Sequence, residues 1–171
     1  LAETRITVVD PGTGVVSPRH LNKHIDYAVL KAPAATKAAS LSMPLQMVVS
    51  GNGATLYVAA FGSSKVGVYD TASLENNSFS PTTQAGQHIT IPGGGPAGIA
   101  LSESKGRLYV MTRFDNAIDE VERIGAARIL GQRGIIEIEH TGAGIHDHVL
   151  EHRAEAARGG VDLGLRLARQ A

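Results

Sequence analysis

Four histidines lie close together near the end of the chain, and a neutral imidazole is a common zinc ligand. They are His140, His146, His148 and His152. On a helix, His148 and His152 would share one face because they are four residues apart, and that pair could bind Zn²⁺. His146 is the third metal candidate, although it cannot share a helical face with His148. The alternative is a solvated, arginine-rich helix over residues 147–158 that binds no metal.

A glycine-rich segment satisfies the G-x-G-x-x-G pattern of dinucleotide-binding loops through Gly93, Gly95 and Gly98. In such loops the glycines let the backbone approach a pyrophosphate at a helix N-terminus, and an acidic residue further along binds a ribose. Asp115 lies near that distance. Against this hypothesis, residues 98–102 align with a predicted strand at 46–50, so a strand rather than a helix should follow the glycines. We therefore assign no cofactor to the chain.

Histidine and aspartate also occur together in an early segment, at His20, His24 and Asp26. Such side chains could exchange protons with a substrate. No nucleophile stands beside them in the sequence and no G-x-S-x-G motif is present, so we favour a polar loop surface and assign no catalytic residue. Asp10 and Asp70 end equivalent predicted strands, which indicates turn capping rather than catalysis.

The composition excludes several classes of function. The 171 residues have a formal net charge of zero and contain no cysteine. The charge balance predicts no nucleic-acid partner. The missing cysteines exclude disulfides, thiolate zinc sites and attachment of c-type haem, and no apolar run is long enough for a membrane span. Composition also changes along the chain, because no lysine or aromatic residue follows Phe114.

A repeat of 52 residues indicates the elements that would position these side chains, since Ser50, Leu56 and Tyr57 recur as Ser102, Leu108 and Tyr109. Residues 55–61 are predicted to form a strand that is apolar on both faces, as in a sheet that lies between two other sheets. Tyr57 and Tyr109 are therefore expected to pack between neighbouring sheets. In the following turn, residues 114–118 match residues 61–66 with one residue fewer.

These strands resemble the YVTN-type, surface-layer-like β-propeller repeat family. The resemblance covers about residues 5–118 and is carried by Leu56-Tyr57-Val58, Val66-Gly67-Val68-Tyr69-Asp70 and Leu108-Tyr109-Val110. It implies an all-β fold, namely a partial β-propeller of about two four-stranded antiparallel blades.

The resemblance divides the chain into a partial propeller at 1–118 and a tail at 119–171. The propeller part comprises a blade end at 5–10, a surface insertion with one strand at 11–43, a full blade at 44–91 and the start of another at 96–118. The tail is expected to be helical or disordered, and it is either a genuine extension or the product of a shifted reading frame.

The function implied is that of a non-enzymatic scaffold or interaction fragment of a bacterial or archaeal protein, periplasmic or at the cell surface. Its partners would be the remaining propeller blades or another protein surface, and open blade edges would allow homo-oligomers. Residues 59–62 and 112–116 resemble a branch fused to c-type cytochrome or peroxidase-like modules. One alternative is therefore the propeller portion of a larger haem oxidoreductase or lactonase-like hydrolase whose active site lies outside this chain. The other is a small-ligand or metal-binding module.

Overall fold

The computed structural model describes residues 3–122 and the backbone of residues 128–134. In these residues ten strands form three antiparallel sheets, which confirms the prediction of an all-β fold. Three short helices connect them: α1 (Ala34–Ala39), α2 (Thr71–Glu75) and α3 (Pro81–Gln84). Within the described part of the chain, no helix has the length and apolar character needed to cross a membrane.

The strands follow one another in space in the order of the sequence. An N-terminal hairpin pairs β1 (Arg5–Val9) with β2 (Val16–His20). Sheet 1 contains β3 (Pro44–Val49), β4 (Thr55–Ala60), β5 (Lys65–Asp70) and β6 (Ile89–Thr90). Sheet 2 contains β7 (Pro96–Ser102), β8 (Arg107–Thr112), β9 (Ala117–Glu122) and β10 (Arg128–Gly134). Each four-stranded sheet is therefore a simple antiparallel meander.

The first three strands of the two four-stranded sheets share one register. The fourth strands pair differently, because Lys65 lies opposite Thr90 whereas its equivalent Ala117 lies opposite Gly134. Thr55 pairs with Asp70 across β4 and β5, and Arg107 pairs with Glu122 across β8 and β9. The same offset of 52 holds for all six pairs of each hairpin, so the sequence repeat is also a structural repeat.

The turns of these two hairpins have equal length. Ser64 and Asn116 take equivalent places in them and both have left-handed backbones, with φ of 51° and 50°. Because turn geometry fixes the register of a hairpin, the offset persists through the turn. Phe114 is consequently equivalent to Gly62, and the prediction that it matches Phe61 with one residue fewer is wrong.

Strand β9 crosses the boundary that the sequence predicts after Ile118. Alternate residues along it are buried. Glu120 and Glu122 interrupt the apolar pattern from which a strand would be predicted. They lie on the less buried face of β9, where charge is tolerated. Residues 128–134 pair with β9 as a strand, so this part of the tail is neither helical nor disordered. The rest of the tail, residues 123–127 and 135–171, lies outside the described residues.

Both faces of β4, the second strand of sheet 1, are buried, as its apolar pattern predicts. Leu56, Val58 and Ala60 pack on one face, in a cluster that also holds Ile6, Leu21, Leu41, Tyr69, Leu74 and Phe79. Tyr57 and Ala59 pack on the other face against Ile99, Leu108, Val110 and Val121 of sheet 2. The predicted position of Tyr57 between sheets is confirmed. Its repeat partner Tyr109 is half-buried and belongs to neither cluster.

The segment 11–43 contributes residues to the hydrophobic core as well as to the surface. It contains one strand, as predicted, but its residues Leu21 and Leu41 are each only 1% exposed and help to cover sheet 1. The buried Asn22 holds them in place, because its Nδ2 donates to the Leu41 carbonyl (2.7 Å) and its Oδ1 accepts from the Leu41 N–H (2.9 Å). The prediction of a surface insertion is therefore wrong for these residues.

Candidate functional site

The glycine-rich loop is filled by side chains of this same chain. A Cβ added at Gly93 would lie 2.2 Å from Oδ2 of Asp115, and one at Gly94 would lie 2.6 Å from the Phe114 ring. The glycines are therefore needed for close packing of the turn between β8 and β9. Gly98 lies within β7, so a strand follows the loop, as the repeat alignment favoured. The loop lacks the helix N-terminus on which a pyrophosphate would sit.

His20, His24 and Asp26 each contact a different partner. His20 Nε2 lies 2.9 Å from the Tyr27 hydroxyl, and the two rings stack. His24 Nε2 lies 3.1 Å from the Thr36 carbonyl and 3.2 Å from the Ser40 hydroxyl. Asp26 Oδ1 accepts the N–H of Ala28 in an Asx-type turn. These contacts support loop structure rather than a shared acid–base centre.

Asp10 and Asp70 cap turns, as the repeat predicts. Asp10 accepts from the Thr13 hydroxyl (2.7 Å) and from the Gly12 N–H (2.8 Å). Asp70 is the N-cap of α2 and accepts from the hydroxyl and N–H of Ser73. In both cases the side-chain hydrogen bond, followed by the backbone bonds, lowers the pKa of the carboxyl group. Their role is therefore structural.

The metal candidates His146, His148 and His152 lie outside the described residues. Within residues 3–122 there is no group of three or more side chains that could together hold a metal ion.

A surface cavity of about 560 Å³, with both apolar and polar lining, lies beside the turn between β4 and β5. It is formed where the segment around α1 meets the start of β5. Its lining includes two lysines and four hydroxyl-bearing side chains: Thr36, Lys37, Ser40, Ser42, Ser63 and Lys65. The remaining lining residues, Ile25, Ala32, Ala38 and Gly62, are apolar, and no carboxylate is among them. The cavity is therefore electropositive.

Lys65 is the more enclosed of the two lysines. Its ammonium group donates a hydrogen bond to the Ala38 carbonyl at the end of α1. Burial lowers the pKa of Lys65. In the part of the chain that the structure describes, neither Lys65 nor Lys37 forms an ion pair. At least two of the three ammonium N–H groups of Lys65 can therefore serve another acceptor.

The cavity exists because the two repeats fill one position differently. In the second repeat, the Phe114 and Asp115 side chains occupy the space over Gly93 and Gly94. In the first repeat the equivalent turn residues are the small Gly62 and Ser63. A Cβ at Gly62 would lie 2.8 Å from the Ser42 hydroxyl, so the loop and turn still touch while space remains beside them.

Sequence reasoning missed this cavity because its residues come from three separate segments and match no spacing motif. One signal was available. Lys65 stands where the second repeat has Ala117, so the hairpin itself does not require a lysine there.

No protein-family model matches this chain, and no curated protein matches it in sequence.

Proposed function

We propose that the chain is part of a β-propeller and acts as a non-enzymatic interaction scaffold in a bacterial or archaeal protein of the cell surface or periplasm. The main support is the relation between sheets 1 and 2, whose first three strands are equivalent at an offset of 52. Four-stranded meanders repeated at such an interval are typical of propellers.

The direction of packing adds to this support. Leu56 packs against residues that precede sheet 1 in the chain, such as Ile6 and Leu21. Its equivalent Leu108 in sheet 2 packs against sheet 1. The same face of each sheet therefore contacts the element that precedes it. Tyr57 accordingly faces the following sheet. By the same rule Tyr109 lies on the face of sheet 2 where a third sheet would pack.

We call this surface the Tyr109 face and define it by Ala100, Tyr109, Met111 and Ile118. The equivalent residues of sheet 1 are Val48, Tyr57, Ala59 and Val66, which all pack in the cluster between the sheets. Glu120 lies opposite Tyr109 on the same face, where Arg107 Nε lies 3.1 Å from Glu120 Oε1 and Arg107 Nη1 lies 3.1 Å from Glu122 Oε1. The face thus combines apolar side chains with paired charges, as protein interfaces do.

A second open surface lies on β3. Leu45, Met47 and Val49 are 52%, 47% and 48% exposed. The equivalents of Met47 and Val49 in sheet 2, Ile99 and Leu101, pack against sheet 1. The open part of β3 and the Tyr109 face thus correspond to the two sides of one repeating interface, so copies of the chain could associate head to tail.

Analytical ultracentrifugation over a range of concentrations tests the proposal. We expect the wild-type chain to self-associate and the double variant Tyr109→Glu, Met111→Glu to be monomeric, because two carboxylates would be buried without partners at the interface. Leu30→Glu, at a fully exposed position outside the sheets, is the matched control and should associate like the wild type. A monomeric wild type that melts cooperatively would contradict the proposal.

A further inference from the structure

The cavity beside the turn between β4 and β5 contains the cationic and hydroxyl-bearing side chains that an anion site needs. It joins the ammonium groups of Lys37 and Lys65 to the hydroxyls of Ser40, Ser42 and Ser63, with no carboxylate in its lining. Its volume of about 560 Å³ lies in the range of small-molecule sites and exceeds what a single inorganic ion fills.

Lys65 gives this cavity its specificity for negative charge. The partly exposed Lys65 ammonium group has no counter-ion among the described residues and only the Ala38 carbonyl as a described acceptor. A doubly charged phosphate monoester offers three further acceptor oxygens. Charge-assisted hydrogen bonds of this kind are stronger than neutral ones.

The repeat shows that the cavity is not a requirement of the fold. The second hairpin closes the same place with Phe114 and Asp115 and has Ala117 where the first has Lys65. The first repeat thus combines space, two cations and hydroxyl groups where its partner has a packed turn and a carboxylate.

We propose that this cavity binds a small phosphorylated molecule, with Lys65 and Lys37 holding the phosphate group, the Ser42 hydroxyl donating a hydrogen bond, and Ile25 and Ala32 contacting the body of the ligand. The Ser40 and Ser63 hydroxyls already donate to the Thr36 and Ala60 carbonyls. The site is independent of the Tyr109 face, and binding here requires no further propeller sheet.

Isothermal titration calorimetry with glycerol 3-phosphate, inorganic phosphate and glycerol tests this proposal on the full chain. We expect glycerol 3-phosphate to bind, phosphate to bind more weakly and glycerol not to bind. Lys65→Met should weaken binding of glycerol 3-phosphate by about tenfold or more, since one hydrogen bond to a charged group is lost. The matched control Lys105→Met, on an exposed turn of sheet 2, should bind like the wild type.

Lys65 also anchors the end of α1, so a second variant separates binding from folding. Ser63→Asp introduces the carboxylate that the second repeat has at the equivalent Asp115, and it leaves Lys65 in place. We expect Ser63→Asp to keep the wild-type circular dichroism spectrum and to weaken phosphate binding by about tenfold or more through charge repulsion. The proposal is overturned if the wild type gives no heat with either phosphate compound, or if a folded Ser63→Asp variant binds them as tightly as the wild type.

Discussion

Met43 and Gly95 lie 52 residues apart, and both have left-handed backbones, with φ of 53° and 56°. The carbonyl of each accepts a hydrogen bond from the residue that begins the equivalent hairpin turn, Phe61 for Met43 (3.0 Å) and Arg113 for Gly95 (3.1 Å). The loop before each sheet is therefore part of the repeat, although its residue types differ between the two copies.

Substitutions at these two positions should have opposite effects on stability. Met43→Gly should raise the free energy of unfolding by up to about 1 kcal/mol, because glycine adopts this backbone without strain and the Met43 side chain is mostly exposed. Gly95→Ala should lower it by about 2–3 kcal/mol, because backbone strain adds to a Cβ placed 3.0 Å from the Phe114 ring. Urea denaturation measures both.

Gly14→Ala is the matched control for that experiment. Gly14 also has a positive φ, of 72°, but a Cβ there would have no neighbour within 4 Å. Gly14→Ala should lower the free energy of unfolding by about 1 kcal/mol, which is the cost of backbone strain without a steric contact. A loss for Gly95→Ala no larger than that for Gly14→Ala would mean that the contact with Phe114 costs nothing.

The two tyrosines of the repeat should differ in their contribution to stability. Tyr57→Ala should lower the free energy of unfolding by about 3–4 kcal/mol, because Tyr57 is 5% exposed in the cluster between sheets 1 and 2. Tyr109→Ala should cost about 1 kcal/mol, because the side chain is half-buried and belongs to neither core cluster. Chemical denaturation of both variants at a concentration where the chain is monomeric gives the comparison. Equal losses would contradict the assignment of Tyr109 to an open face.

His88 should make stability depend on pH between 6.5 and 4. Burial, helped by the charge of Lys65, lowers the pKa of His88 from 6.5 to about 4. Its Nδ1 accepts a hydrogen bond from the Val68 N–H, which protonation would break. Over this interval the unfolded chain takes up a proton that the folded chain does not, so stability falls as the pH is lowered from 6.5 to 4 and this loss is complete below that.

The size of this effect is about 2 kcal/mol after allowance for partial exposure of the ring. Thermal melts of the wild type and of His88→Asn, whose Oδ1 can replace Nδ1 as the acceptor, measure it as a difference in slope against pH. Gln87→Asn, at the neighbouring exposed and non-titrating position, is the matched control and should keep the wild-type slope. The same slope in His88→Asn and in the wild type would show that His88 does not titrate in this interval.

The sequence by itself determined the strands of the repeat, because local patterns carry that information. The recurrence of Leu56 and Tyr57 as Leu108 and Tyr109 predicted equivalent strands. Apolar residues on both faces of residues 55–61 predicted that this strand is buried on both faces. Asp10 and Asp70 were predicted as caps because their hydrogen bonds are to residues only two or three positions away.

Tertiary structure alone decided what each repeated position does. Tyr57 and Tyr109 share the same neighbours in sequence, and only the presence of sheet 2 beside Tyr57 makes one a core residue. The glycine-rich loop matched a phosphate-binding pattern, but Phe114 and Asp115, about 20 residues further along the chain, fill it. The cavity at Lys65 likewise arises where segments distant in sequence meet. Burial and electrostatic environment depend on such nonlocal packing, which neither spacing nor composition records.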